Sequence, residues 1–303
     1  MLAACCVVPD VSSAAAPGQY SDCGGSVTSA STGESLAFAA LAERLKKADI
    51  VLFGEVHGVR EHAAASACVL SMLADNGRPT GLVMEIFSTG GQTAIDRYRN
   101  DNPEDAAGLG VALEWWKRGW PAFDHWFALL DRAFALKVDI AGGDMGDGDR
   151  LDPDQRLGAN LAAVRSSWTA AMEQAHCGLL DRQEAARLGD QQIQRDLSMA
   201  QRALTLRARL SDTWKASAAV LVHAGRGHVR KDRSLFKALG QEADASVSPK
   251  IISIGAFGAE DEQATRDSRV FDYIWTAVEP VVGQSGCSLV QVGKAVPGRG
   301  RVQ

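Results

Sequence analysis

Two short apolar runs that end in glycine and an imidazole constrain the fold of this chain more than any other feature. Residues 52–58 read Leu-Phe-Gly-Glu-Val-His-Gly, and residues 220–229 read Val-Leu-Val-His-Ala-Gly-Arg-Gly-His-Val. An apolar run followed at once by reactive polar groups is typical of a buried strand that delivers those groups at its carboxyl end. The pattern therefore predicts a sheet whose strand ends carry the function.

Further apolar runs alternate with stretches of helical periodicity. The predicted strands are 50–53, 82–84, 138–141, 218–223, 251–254 and 273–275, with a last strand near 287–292. Helices are expected over 35–48 and 59–75, and the larger helical parts over about 91–136 and 153–214. We expect the last of these to be a hairpin broken near Gly178 or Gly189. This alternation predicts an α/β fold with a mostly parallel sheet flanked by helices and a helical insertion or hairpin.

Composition limits the possible partners. The chain has 303 residues, of which 46% are hydrophobic, and a formal net charge of −5. Because the basic residues are scattered and in deficit, nucleic acid is not an expected partner. No apolar run reaches the length of about 18 residues that a membrane-spanning helix needs. We expect a single main domain over 34–303.

The amino-terminal segment suggests a lipid anchor. Residues 2–5, Leu-Ala-Ala-Cys, fit a lipobox in which Cys5 is lipidated, and the Ser/Ala/Gly-rich residues 6–33 have the composition of a flexible tether. The charged and apolar part of a signal peptide does not precede this lipobox, so either the start codon is placed too late or the match is accidental. We favour a lipoprotein.

The six cysteines suggest neither a zinc knuckle nor a thioredoxin-type redox site, because no C-x-x-C pair occurs. Cys6 and Cys23 fall in the predicted tether. The other three, Cys68, Cys177 and Cys287, fall in segments that resemble core elements, and there we expect buried thiols.

Several polar side chains follow the predicted strands and should converge in one crevice. They are Glu55, His57, Glu85, Asp144 and His228, with Arg195 and Arg226 as candidate counter-charges. Glu55 and His57 lie two residues apart, which lets both bind one divalent metal or lets the carboxylate orient the imidazole. The alternative is that these groups cap the helices that start near 59 and 91.

The remaining histidines and an aromatic stretch have simpler interpretations. His62 is expected to be an exposed or capping helical residue, and His176 a residue at a helix end. The aromatic stretch is more typical of core, although with Lys117 and Arg118 it would also suit a flat apolar ligand with acidic substituents. It consists of Trp115, Trp116, Trp120, Phe123, Trp126 and Phe127.

The ordered set of motifs resembles the ChaN family of haem-binding uptake proteins, within the Tiki/TraB/erythromycin-esterase-like superfamily. The matching pieces are Leu52 to His57, Gly81 to Phe87, Gln92 to Tyr98, Trp116 to Pro121, His176-Cys177, Gln194 to Ala200 and Ala224 to Arg230. The resemblance thus covers about residues 50–230, a domain-length match.

The resemblance implies a haem-binding lipoprotein of iron acquisition. It implies a periplasm-facing position in the bacterial cell envelope, at the outer membrane, an outer-membrane haem uptake system as partner, and a homodimer in which a tyrosine ligates haem. Where related sequences usually carry that tyrosine, this chain has Trp126, preceded by His125. Haem contacts are therefore expected from His125, Trp126, His176, Tyr98 and Arg226, with imidazole able to replace the phenolate.

The competing hypothesis is catalytic. In the wider superfamily, residues similar to Glu55, His57, Glu85 and His228 serve metal-dependent or water-activating hydrolysis of protease or esterase type. No serine or cysteine nucleophile motif is present, so one of these groups would have to activate water. A third possibility is that the cluster only supports the fold.

Overall fold

A computed structural model describes residues 20–146, 149–240, 248–259, 261, 264 and 268–278. Eight strands form one sheet. They are β1 (Ser26–Ser29), β2 (Ser35–Leu36), β3 (Ile50–Glu55), β4 (Thr80–Ser88), β5 (Asp139–Asp144), β6 (Ala219–Gly225), β7 (Ile251–Phe257) and β8 (Tyr273–Thr276). Their order across the sheet is β2-β1-β8-β7-β3-β6-β4-β5.

Six of these strands are parallel, and β1 and β2 extend one edge in the antiparallel sense. Strands β3, β4 and β6 are buried almost throughout, as expected for parallel strands covered on both faces. The predicted α/β class and the predicted strands up to residue 275 are confirmed, whereas the strand expected near 287–292 lies outside the described residues.

Nine α-helices are present in the described part of the chain. They are α1 (Phe38–Leu45), α2 (Arg60–Ala74), α3 (Gln92–Asp101), α4 (Leu109–Ala112), α5 (Phe127–Ala135), α6 (Pro153–Leu157), α7 (Leu161–Ala175), α8 (Arg182–Trp214) and α9 (Ser234–Leu239). None of these helices combines the length and the apolar character needed to cross a bilayer.

The apolar core lies on both faces of the sheet. Side chains of α1, α2 and α5 pack on one face, and those of α8 and α9 on the other. A third, smaller cluster joins α7 to α8, which form the predicted hairpin. The hairpin breaks at Gly178, whose φ of +65° suits glycine, whereas Gly189 lies inside α8. A Cβ at Gly189 would lie 3.2 Å from Trp168 Cβ, so the glycine there permits close helix packing.

The tether prediction is wrong for residues 20–33, which belong to the folded domain. Strand β1 pairs with the edge of β8, and Val27 within it is fully buried. Pairing satisfies backbone groups that β8 would otherwise expose, which compensates for the low apolar content of this segment. Cys5, Cys6 and Cys287 lie outside the described residues.

Two predicted buried thiols are disulfide-bonded instead. Cys23 is joined to Cys68, 45 residues further along the chain, so the amino-terminal segment is covalently attached to α2. Cys177, at the turn of the α7–α8 hairpin, is also in a disulfide. Cysteine spacing alone cannot give such pairings.

Candidate functional site

The site lies where β3, β6, β4 and β5 end side by side. Glu55 is the last residue of β3, Glu85 lies three residues before the end of β4, and Gly225 ends β6 between them. In a parallel sheet these ends share one edge, so the side chains that follow each strand meet there. The predicted convergence of four segments is confirmed by the contacts described below.

Glu55 is 2% exposed and is surrounded by hydrogen-bond donors. Its carboxylate lies 2.8 Å from His57 Nδ1 and 3.0 Å from His223 Nε2, and it accepts a 2.8 Å hydrogen bond from the Trp126 indole N–H. Burial alone would raise the pKa of Glu55, but the attraction of His223 and the hydrogen bonds from both histidines hold that pKa at about 2. Glu55 is therefore an anion at neutral pH.

Glu85 is the second buried anion, with 1% of its surface exposed. It lies 3.3 Å from His228 Nε2 and 3.1 Å from an Arg195 Nη atom, and it accepts a 2.7 Å hydrogen bond from the Gly225 N–H. Burial opposes ionisation, yet the nearby His228, His57 and Arg195 keep the pKa of Glu85 well below its usual value. The predicted role of Arg195 as a counter-charge is thus confirmed.

His228 bridges two carboxylates. Its Nδ1 lies 2.7 Å from Asp196 Oδ1, and its other nitrogen faces Glu85. Burial would lower the pKa of His228, but these two anions raise it to about 10, so the ring is an imidazolium at neutral pH. Trp168 of α7 donates its indole N–H to Asp196 and packs against the His228 ring, with the centroids 5.0 Å apart and the ring planes tilted by 51°. The α7–α8 hairpin is thereby fastened to the sheet.

His57 is the member of the cluster that faces solvent, with 31% of its side chain exposed. Its Nε2 lies 3.7 Å from Glu85, and the edge of its ring meets Trp120 at a centroid distance of 4.9 Å. A Cβ at position 225 would lie 2.8 Å from His57 Nε2, so glycine there allows the imidazole to approach the backbone. Burial opposes protonation, but Glu55 and Glu85 raise the pKa of His57.

Two further predictions are settled at this edge. Asp144 belongs to the network, because Arg195 donates to both of its carboxylate oxygens at 2.8 and 2.9 Å. Arg226 does not belong to it, because its guanidinium lies over Phe257 and pairs with Asp261 at 3.1 Å. Its guanidinium also donates to the Ala256 carbonyl oxygen at 3.0 Å, so the side chain points toward β7.

His62 is neither exposed nor a cap, contrary to expectation. It is fully buried, and its Nδ1 accepts a 3.0 Å hydrogen bond from the Val56 N–H. Burial lowers the pKa of His62 to about 4, so this ring is neutral at neutral pH. It secures the loop that carries His57.

The divalent metal predicted for Glu55, His57, Glu85 and His228 gains no support from the geometry. Across the described ranges, no group of three or more His, Cys, Asp and Glu side chains is arranged to hold a metal ion. The carboxylates are paired with imidazoles, a guanidinium and an indole, each of which supplies a donor. The hydrolytic hypothesis stays a prediction for His57 and its neighbours.

Three residues of the network escaped the sequence reasoning. His223 lies within a predicted strand and Asp196 within a predicted charged helix, and nothing in the local sequence of Trp168 indicates its role. Asp196 is fully buried between Ile193 and Leu197, so a carboxylate on the apolar face of a helix was the available signal.

Of the remaining predicted haem contacts, Trp126 belongs to this network, whereas Tyr98, His125 and His176 make no hydrogen bond to it within the described ranges. Trp126 is fully buried and donates to Glu55, so it presents no surface to a ligand, contrary to expectation. Tyr98 donates to Asp105 at 2.6 Å, and desolvation together with this hydrogen bond raises its pKa to about 12. His125 is half-buried, and its Nδ1 is buried without a hydrogen-bond partner among the described residues. His176 is exposed at the tip of the hairpin, roughly 20 Å along α8 from Arg195.

A family model and several solved structures match the chain. The model, described as haem-binding uptake, Tiki superfamily, ChaN, matches residues 41–239, well over half of the chain. The chain belongs to the ChaN family. No curated protein matches it.

Several solved structures are similar to this ChaN-family chain. The structure of cofacial haem binding to ChaN of Campylobacter jejuni is 19% identical, with a TM-score of 0.65, over 83% of this chain and 96% of that chain. The type III effector HopBA1 is 12% identical, with a TM-score of 0.43, over 80% and 93%. The erythromycin esterase EreC, in its open conformation, is 12% identical, with a TM-score of 0.39, over 89% and 87%. At these identities the first likeness shows a shared fold.

Membership of the ChaN family implies haem, and one predicted ligand fits it. His176 Nδ1 lies 2.9 Å from the Met172 carbonyl oxygen. Because a carbonyl oxygen can only accept, Nδ1 carries the proton and Nε2 keeps the lone pair that binds a metal. No described residue forms a hydrogen bond or ion pair with Nε2. An imidazole fixed by a carbonyl on one nitrogen and open on the other is the usual arrangement of a ligating histidine.

Proposed function

We propose that this protein binds haem through His176 at the tip of the α7–α8 hairpin, as a lipoprotein that captures or transfers haem in the bacterial cell envelope. The observation that carries the proposal is the hydrogen bond from His176 Nδ1 to the Met172 carbonyl oxygen on an exposed helix end, which leaves Nε2 available for the iron. Haem when bound would supply the iron for this nitrogen. The family match supports haem as the ligand.

The surroundings of His176 suit a planar apolar ligand. Leu179, three residues along the tip, is 54% exposed and offers apolar contact to a porphyrin face. Arg182 is exposed at the start of α8 and can reach an acidic substituent. The turn itself is stiff, because Cys177 is disulfide-bonded and Asp181 accepts from the Glu184 N–H at 2.8 Å. The His176 side chain, as the axial ligand of the iron, is therefore held in place before haem binds.

A ligand on a convex tip, rather than in a pocket, leaves one face of the haem uncovered. A second copy of the chain would cover that face, and the name of the Campylobacter jejuni structure describes cofacial haem in that protein. We therefore propose a homodimer that forms with haem. An outer-membrane haem uptake system is the proposed source.

Replacing His176 with alanine is expected to weaken hemin binding by at least about tenfold, equivalent to about 1.4 kcal/mol, because the axial nitrogen is lost. The measurement is an absorbance titration of the Soret band with hemin, combined with size exclusion of the loaded protein. Tyr98→Phe is the matched control and should bind as the unchanged protein does. Equal affinity of His176→Ala and the unchanged protein would remove His176 as the ligand.

The position in the envelope has separate support. A disulfide between Cys23 and Cys68 favours an oxidising compartment such as the bacterial periplasm. The lipobox at residues 2–5 provides a candidate anchor, with periplasm-facing attachment at the outer membrane as the proposed site. Haem would then be handled next to the membrane through which it enters.

Lipidation of Cys5 is expected to place the protein in the membrane fraction. Expressed in a bacterium with its native start region, the full chain should incorporate radiolabelled palmitate, and Cys5→Ser should abolish that label. Cys6→Ser serves as the control, since the lipobox places the modified residue at position 5. An unlabelled full chain would contradict the anchor and would leave the haem proposal unaffected.

A further inference from the structure

A cavity of about 740 Å³ opens along the free edge of β5, on the side of the molecule away from the hairpin tip. Its walls come from α3, the end of α5, β5 and the second half of α8. The lining includes Arg99, Lys137, Arg202, Arg209, Phe134 and Leu206. The volume falls within the range of about 300–1,000 Å³ that is usual for small-ligand sites.

The charge of this lining contrasts with that of the whole protein. Four cations and two carboxylates, Asp96 and Asp139, line the cavity, whereas the full chain has a net charge of −5. Asp139 already pairs with Arg209 at 3.0 Å. The carboxylate of Asp96 accepts a hydrogen bond from the Gln92 amide at 2.9 Å. The cavity therefore has an excess of two positive charges.

Three of the cations have no carboxylate within ion-pair distance in the described part of the chain. Arg99 donates to the Val138 carbonyl and lies over Phe134, and Arg202 donates to the Gln92 side-chain oxygen at 2.9 Å. Lys137 is exposed at the end of α5. Burial lowers the pKa of Arg99, and the nearby Asp139 and Asp96 offset this effect only in part. An anion in the cavity would supply the missing compensation.

Gln92 connects the edge strand β5 to the cations of the cavity. The Gln92 amide nitrogen donates to the Ile140 carbonyl, and its oxygen accepts from the Gly142 N–H, each at 2.9 Å. The amide thus pairs with two backbone groups of the edge strand, as a neighbouring strand would. The same oxygen accepts from Arg202. Gln92 therefore occupies this part of the strand edge, and the cations lie beside it.

We propose that this cavity binds a compact anion with at least two negative charges, of the phosphate-ester or polycarboxylate class. The site is separate from the haem tip, because Arg202 lies 20 residues, or roughly 30 Å, along α8 from Arg182. None of the residues of the Glu55 and Glu85 network lines this cavity, and the cations of that network are already paired with carboxylates. Two or three cations without carboxylate partners would bind the anion together. We therefore expect its affinity to depend on the number of its negative charges more than on its shape.

Isothermal titration of the full chain with sodium pyrophosphate at low ionic strength tests this site. We expect saturable 1:1 binding that weakens as salt is added. Lys137→Gln should weaken it by about fivefold or more, since a hydrogen bond to a charged group is lost. Lys137 makes no contact that the fold needs among the described residues, so this variant should fold normally. Arg202→Gln is the second variant and should have a similar or larger effect.

Arg187→Gln is the matched control, because Arg187 lies on the same helix, is exposed and pairs with Glu184. Its affinity for pyrophosphate should equal that of the unchanged protein. Absence of saturable heat, or equal weakening in Arg187→Gln and Lys137→Gln, would overturn the proposal. Hemin titration of the Lys137→Gln variant should be unchanged, which separates failure here from failure of the haem proposal.

Discussion

Replacing Glu85 with glutamine is expected to lower the free energy of unfolding by about 3–5 kcal/mol. The amide can still accept from the Gly225 N–H, but it removes the negative charge that compensates buried His228 and Arg195. Breaking a buried pair from one side leaves an uncompensated charge, and that cost exceeds the value of the lost attraction. Urea unfolding followed by circular dichroism measures the change.

Glu43→Gln is the control for charge removal, because Glu43 pairs with Lys46 at the surface with 47% of its side chain exposed. It should cost less than about 1 kcal/mol. If the two variants lose the same stability, the strand-end network contributes no more than a surface pair, and its role in the fold has been overestimated.

The same network gives stability a defined dependence on pH. The pKa of His228 is raised from 6.5 to about 10, so its contribution is complete below about pH 6.5 and is lost as the pH rises through about 10. The pKa of Glu85 is lowered, so its contribution is complete above about pH 4.5 and is lost on acidification. In Glu85→Gln the alkaline loss should begin at lower pH, because one of the two anions that raise the pKa of His228 is gone.

Removing the disulfide is expected to have the second largest effect on stability. For a separation of 45 residues, loop-closure entropy predicts a loss of roughly 4 kcal/mol when Cys23 and Cys68 are both replaced with serine. The bond holds the segment that contains β1 against α2, so the edge of β8 should also become exposed. Urea unfolding of the double variant gives the magnitude, and hydrogen exchange of the β1 and β8 amides gives the location.

Cys23→Ser alone is the informative comparison, since it breaks the same bond but keeps the half-buried Cys68 side chain. The single and double variants should be destabilised equally. A loss below about 1 kcal/mol in both would mean that β1 pairs with β8 without covalent help.

The strand ends of this fold could be predicted because each obeys a local rule. An apolar run bounded by glycine identifies β3 and β6, and the charged residues that follow must share an edge when the strands are parallel. Glu55, His57, Glu85 and His228 were found in this way. Their chemical partners were not, because the contact between His223 and Ser66 joins residues 157 apart, and the contact between Trp168 and Asp196 joins two different helices. Local periodicity contains no information about such pairs.

The amino-terminal strand β1 could not be predicted from the sequence for a different reason. Residues 26–29, Ser-Val-Thr-Ser, have one apolar side chain, and a four-residue strand becomes stable only when β8 is present to pair with it. His62 was expected to be exposed or capping but is fully buried, because the position of a residue on a helix does not by itself reveal which face other parts of the chain cover. The helical hairpin and its break near Gly178 are predicted from periodicity and glycine, whereas the orientation of the His176 ring is seen only in the structure.

The 33-residue helix α8 is fixed to the sheet along one half and projects from it along the other. Its second half lies across the sheet, and its first half projects with α7 beyond the clamp that Asp196, Trp168 and His228 form. A tilt of about 5° at that clamp moves the far end by roughly 2 Å, given a projecting length of roughly 20 Å. The tip that carries His176 can thus adjust by about the length of a coordination bond while the sheet stays still.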